Sequence, residues 1–174
     1  QAKVLREALR NSEYRLEAVF DNNPDLEPPF DDVPLYHGTA GLEAWLAARN
    51  DTGPVHFLSA IAGDRGRTRM EVQFMLEDRG LVPVTAVHPA AYVADNATIG
   101  AGSQILTHAT VCAEAELGRA CIVNTAASVD HECVLGDGVA VNPGARLAGC
   151  VIVEDFATVH TGAVVLPRIR IGEG

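Results

Sequence analysis

Every sixth residue from Val87 to Ile171 is Val, Ile or Leu, fifteen positions with no break in phase. Four places after each, a small side chain recurs. Eleven of the fourteen such positions, from Ala91 to Ile169, are Ala, Ser or Cys. A six-residue unit with one large and one small inward residue is a short strand plus a turn. It cannot bury itself, so its copies must stack into a solenoid. Glycine and Asn/Asp supply the turn conformations. Gly follows the aliphatic residue at Gly100, Gly118, Gly136 and Gly172.

The repeat explains an odd composition. The chain has 174 residues, 48% of them apolar but only 5% aromatic. A narrow solenoid takes one aliphatic and one small residue per slot and has no room for rings. That apolar fraction excludes intrinsic disorder. The apolar runs fall short of the roughly 18–20 residues that cross a bilayer, so the expectation is a soluble, cytoplasmic protein without a membrane partner. With 13 Lys+Arg against 23 Asp+Glu, nucleic acid is not expected as a partner, since binding it needs clustered cations. The first residue is Gln1 and the last, Gly174, falls inside the repeat. Both suggest a piece of a longer protein, with a first strand and the last coils missing. Cys112, Cys121, Cys133 and Cys150 form no CxxC pair, and the expectation is free thiols. Cys121 and Cys133 fall in the small inward slot, where packing accounts for them.

The first half alternates. Helices are predicted over 2–10, 39–49 (with Thr39 as N-cap) and 64–78, and strands over 14–20, around 34–36 and over 55–60. Gly80 sits just past the third helix, where a C-cap glycine is expected. Strands alternating with helices predict a small Rossmann-like parallel sheet. Such a sheet binds ligands at the carboxyl ends of its strands. Those ends hold Asp21, Asn22, Ala62 and Gly63. The expected division is an α/β domain over 1–83 and a β-helix over 84–174.

His131 is the candidate for chemistry. Two places after Val129, it falls at a turn and points outward. Its stacking neighbours, Ala113 and Gly149, are small and leave room beside the imidazole. Asp130 and Glu132 flank it. A carboxylate on one ring nitrogen fixes the tautomer and makes the other nitrogen more basic.

Residues 87–174 resemble the hexapeptide-repeat superfamily of left-handed parallel β-helices. The resemblance implies triangular coils of three hexapeptides, almost five of them here. The segment Asn124-Thr125 through Asp130-His131-Glu132 resembles that of bacterial nucleotide-sugar N-acetyltransferases, with sialic-acid O-acetyltransferase-type proteins as close relatives. Val87-His88-Pro89 with Ala91 resembles their entry into the β-helix, and Phe20-Asp21-Asn22-Asn23-Pro24 their nucleotide-contacting strand end. Gln1-Ala2-Lys3-Val4-Leu5 resembles the end of their first turn-to-helix motif.

The resemblance implies direct acetyl transfer from acetyl-CoA to the amine of a nucleotide-linked 4-amino sugar. His131 would be general base, Glu132 its partner, and Asn124 would lie beside the reacting centre. Gln1, Asp21, Asn22, Ala62 and Gly63 would face the substrate. Acetyl-CoA would lie along an edge at Ala140, Gly144, Ala145, Thr161, Gly162 and Ala163, in a groove between subunits of a homotrimer. Gln1 stands where relatives carry a substrate-contacting histidine, and Ala140 where many place one near acetyl-CoA. Two alternatives are transfer to a sugar hydroxyl and a binding protein without turnover. No metal is expected: γ-class carbonic anhydrases of this superfamily pair zinc histidines five residues apart, and no two histidines here have that spacing.

Overall fold

The hexapeptide phase becomes a three-sided prism. The chain is described here by a computed structural model covering residues 1–51 and 53–174. The first face stacks β5 (Ala86–Val87), β8 (Gln104–Ile105), β11 (Ile122–Val123), β14 (Ala140–Val141) and β17 (Thr158–Val159). The second stacks β6 (Tyr92–Val93), β9 (Thr110–Val111), β12 (Ser128–Val129), β15 (Arg146–Leu147) and β18 (Val164–Val165). The third stacks β7 (Thr98–Ile99), β10 (Glu116–Leu117), β13 (Val134–Leu135), β16 (Ile152–Val153) and β19 (Arg170–Ile171). All pairings are parallel, and partners such as Ile122 and Ala140 are one 18-residue coil apart. Three five-stranded parallel sheets fit a left-handed parallel β-helix.

The aliphatic and small slots fill the interior. Val111, Cys121, Val123, Ala127, Val129, Cys133, Val141 and Ala145 are wholly buried in one continuous core. Val87 keeps the register but is exposed, because no coil lies beneath it. All four cysteines are free. Burial pushes the Cys121 thiol up to about 12 and raises that of Cys133 as well.

The turns depart from expectation in how they use glycine. The second turn residue is left-handed at every sixth position from Gly102 to Arg168, and most of these residues carry a side chain. Gly100, Gly118 and Gly136 have no such φ. They stack on one another, and a Cβ on Gly100 would come within 2.4 Å of the Gly118 backbone. Close approach, rather than turn conformation, requires that column.

The N-terminal unit carries α1 (Ala2–Ala8), β1 (Val19–Asp21), β2 (Leu35–His37), α2 (Gly38–Ala48), β3 (His56–Phe57), α3 (Gly66–Glu77) and β4 (Val82–Pro83). Strands and helices alternate as predicted, and β4 ends just before the first coil. The strands form two separate parallel pairs, β1–β2 and β3–β4, rather than one sheet. Of the expected first strand only Val19 and Phe20 have partners, and the strand runs on to Asp21. His37, not Thr39, is the N-cap of α2, and it makes no side-chain cap bond. Gly80 ends α3 as expected, with φ +80° and its N–H on the Glu77 carbonyl. No described helix is long and apolar enough to cross a membrane.

This unit covers the first face. Leu5 and Ala8 of α1 pack on Leu106 and Ile122. Gln104, wholly buried, donates to the Ser59 carbonyl at 2.6 Å. The edge between the third and first faces is covered by α3, laid along the prism axis. Its 12 residues span about 18 Å, close to the rise of four coils. Arg69 lies buried against that edge without a carboxylate partner. Its Nε donates to Ala120 O at 2.7 Å, and its two terminal nitrogens to Gly138 O at 2.7 Å and Ile61 O at 3.1 Å. Gln73 donates to Ala101 O at 3.1 Å, one coil further along. Arg119 on the same edge pairs with Glu77.

Candidate active site

The site stands on the edge between the second and third faces, which the N-terminal unit leaves open. Asp130-His131-Glu132-Cys133 turns the chain from β12 to β13. The turn is pinned on both sides: Glu132 N–H donates to Ala113 O at 3.0 Å, and Cys150 N–H to His131 O at 2.9 Å. Asp130 Oδ1 accepts from the His131 backbone N–H at 2.7 Å, so Asp130 shapes the turn rather than holding the ring. Glu132 holds the ring: its Oε2 lies 2.9 Å from His131 Nδ1. Glu132 is left-handed at φ 57°, which turns its side chain back along the edge toward the imidazole.

With a carboxylate at Nδ1, the favoured neutral tautomer carries its proton there and leaves a lone pair on Nε2. That nitrogen lies over Gly149, where a Cβ would come within 2.4 Å. The small neighbour one coil on is therefore required, and the ring itself takes up the room it leaves. Both His131 and Glu132 are more than half exposed, open to a substrate. Beside them runs a shallow groove of about 310 Å³ lined by Asn96, Thr98, Glu114, Glu116, Glu132 and Val134. Glu114 was legible as the residue one coil below Glu132. The rest of the lining follows from the same step of 18, applied to neighbouring positions.

The other candidates fall elsewhere. Asn124 is on the preceding edge, between the first and second faces, with the whole second face between it and His131. Its Oδ1 accepts from Thr125 N–H at 2.8 Å. Gly144 and Gly162 occupy that same edge one and two coils on, both with positive φ and nothing within 4 Å of an added Cβ. Thr161 is exposed beside them, while Ala145 and Ala163 point inward. Ala140 is buried on the face that the N-terminal unit covers, at 1% exposure, so its methyl is out of a cofactor's reach. Gln1 donates to Gln104 Oε1 at 2.7 Å, fastening α1 to the prism. Asp21 ends β1, with its Oδ1 accepting from Asn23 N–H at 2.8 Å. Asn22, Ala62 and Gly63 lie in the loops after β1 and β3, and no hydrogen bond between described residues joins these two loops.

Gly149→Ala is expected to displace the imidazole without unfolding the chain, since Gly149 has no positive φ. A shift near 1 Å costs about 100-fold in kcat. Steady-state kinetics should show the fall in kcat with little change in KM, and an unaltered kcat would refute the packing argument.

No family model matches the chain, and no curated protein matches its sequence. Solved structures do. A histidine-to-asparagine variant of perosamine N-acetyltransferase from Caulobacter crescentus, in complex with CoA and GDP-perosamine, is 30% identical. The alignment covers 99% of this chain and 78% of that one, with a TM-score of 0.88. The acetyltransferase domain of PglB from Neisseria gonorrhoeae, in complex with acetyl coenzyme A, is 26% identical over 98% of this chain and 87% of that one, with a TM-score of 0.75. WeeI from Acinetobacter baumannii, 20% identical over 99% of this chain and 82% of that one, shares the fold at a TM-score of 0.78. The 30% identity to a perosamine N-acetyltransferase across nearly the whole chain defines the class, and the chain belongs to the hexapeptide-repeat sugar N-acetyltransferases. It is an acyltransferase.

Proposed function

We propose that this protein transfers the acetyl group of acetyl-CoA to the amine of a nucleotide-linked 4-amino sugar, with His131 as general base. The observation that carries the reading is the Glu132 carboxylate 2.9 Å from His131 Nδ1, which leaves Nε2 to accept a proton. The likeness to a perosamine N-acetyltransferase holding CoA and GDP-perosamine supports both substrates.

In the proposed reaction, Nε2 accepts a proton from the amine as its nitrogen attacks the thioester carbonyl. The tetrahedral intermediate collapses, the C–S bond breaks, and the leaving thiolate recovers the proton from the imidazolium. Glu132 stabilises that imidazolium while it lasts. Acetyl-CoA lies along the edge between the first and second faces at Gly144, Thr161 and Gly162, where the two glycines let it approach the backbone, and it reaches His131 from a neighbouring copy. The nucleotide lies against the strand ends at Asp21 and Asn22, beside Ala62 and Gly63. Asn124 stands a full face from His131 in the same chain. It serves the oxyanion only when a neighbouring copy supplies it, which a homotrimer packed through its second faces provides. Tyr92 and Val164, exposed at 60% and 69% on that face, support such packing. The reaction belongs to glycan biosynthesis in the cytoplasm.

The test is CoA release from acetyl-CoA with GDP-, UDP- and dTDP-linked 4-amino sugars, run beside hydroxyl acceptors. Turnover of at least one amino sugar is expected. Inert amino sugars with reactive hydroxyl acceptors would replace this reading by O-acetylation, and silence from both would leave a binding protein.

A further inference from the structure

The open edge that carries His131 also carries a thiol. Glu132 and Cys150 occupy the same left-handed turn position on successive coils, with φ 57° and 60°. Equivalent positions on adjacent coils are about 4.8 Å apart, so the two side chains leave the prism side by side. Cys150 Sγ lies 3.8 Å from Glu132 Oε2, and His131 Nδ1 lies 2.9 Å from that same oxygen. A ring nitrogen of His131, a carboxylate oxygen of Glu132 and the Cys150 Sγ all fall within 4.8 Å of one another. A tetrahedral zinc ion with bonds of about 2.0–2.3 Å sets its ligand atoms roughly 3.3–3.6 Å apart. Small side-chain rotations bring the three donors to that spacing. The backbone beneath is already locked by the Cys150 N–H to His131 O bond.

We propose that His131, Glu132 and Cys150 form an inhibitory site for a soft divalent cation of the zinc type. The inference rests on the reading of His131 as general base. One imidazole, one carboxylate and one thiolate suit Zn²⁺, whereas Mg²⁺ and Ca²⁺ call for oxygen ligands alone. Three protein ligands leave a fourth position for water. The groove of Asn96, Glu114, Glu116 and Glu132 brings negative charge up to the cluster. Arg168, next along the edge after Cys150, is exposed and its long side chain is free to swing aside. Of the other thiols, Cys121 and Cys133 point into the core, and Cys112, one coil below on the same edge, faces Asp130 rather than the His131–Glu132 pair.

Inhibition follows from the tautomer. A metal on Nδ1 displaces the proton held there, which passes through solvent to Nε2, so the neutral imidazole carries its one proton on Nε2 while Glu132 stays ionised as a ligand. The lone pair that accepts the substrate proton is gone. Ion binding also draws Glu132 from the ring and releases the Cys150 thiol proton to solvent. Catalysis needs no metal, so the ion acts only by occupying the base.

The test has two readouts on the intact chain. Co²⁺ titration should give a thiolate-to-metal charge-transfer band in wild type that is missing in Cys150→Ser. Zn²⁺ should inhibit acetyl transfer by wild type, reversibly on chelation. Cys150→Ser should keep basal activity and need more than about 100-fold as much Zn²⁺, beyond the roughly 10–100-fold cost of losing an outer-shell partner. The absence of the Co²⁺ band, or equal Zn²⁺ inhibition of the two proteins, would overturn the site. The titration requires no turnover. A Co²⁺ band in an enzyme inert toward amino sugars would therefore indict the proposed reaction and leave the metal site standing.

Discussion

His131→Ala should lower kcat for acetyl transfer by about 10²–10⁴-fold, the range that general-base catalysis supplies. Substrate binding should change little, because the imidazole is one exposed group beside a groove built from other residues. Glu132→Gln keeps the shape but replaces the carboxylate at Nδ1 with an amide. Its kcat should fall less, because the imidazole keeps its place and loses only the charge of its partner. Steady-state kinetics with both variants separates the roles. Full activity in His131→Ala would remove the base.

Arg69→Met is expected to cost about 2–5 kcal/mol of stability, the consequence of leaving one to three buried carbonyls bare at roughly 1–3 kcal/mol each. Ala120 O, Gly138 O and Ile61 O accept no backbone hydrogen bond that would replace the guanidinium. Burial holds the Arg69 pKa below its ordinary value, so part of the loss is offset by sparing that desolvation. Arg69→Lys should rescue little, because an ammonium lacks the planar fork that spans carbonyls on two coils. A urea midpoint series checks both variants. A Met variant as stable as wild type would show that water replaces the guanidinium without loss.

The prism was legible because its geometry is strictly periodic. A phase of six placed Val129, Cys133 and Val141 in the core, and the step of 18 placed Ala113 and Gly149 beside His131. The N-terminal unit was legible in type but less so in extent. Its strands are two or three residues long, and a run such as Tyr14–Phe20 becomes strand only where a partner backbone meets it. The inner face of α3 was not legible at all. Its buried residues include Arg69 and Gln73, while Phe74 on the same helix is exposed. The usual apolar stripe fails because α3 packs on a column of turn carbonyls, which call for donors rather than methyl groups. In the site, Glu132 and its ring contact followed from adjacency in sequence. Cys150 stands one step of 18 after Glu132, so its place beside the pair lay within the same arithmetic. Asn124 stood seven residues from His131 in sequence, yet a face of the prism separates them.

A stack of coils is close to one-dimensional, and each boundary can melt on its own. The polar face of α3 changes that for the coils it crosses. Arg69 grips the turns at Ala120 and Gly138, just before and just after the His131 turn. Loosening either coil would also strip the guanidinium from the other, so the two lose order together or not at all. The fastening binds the segment carrying His131 into one cooperative block with the N-terminal unit.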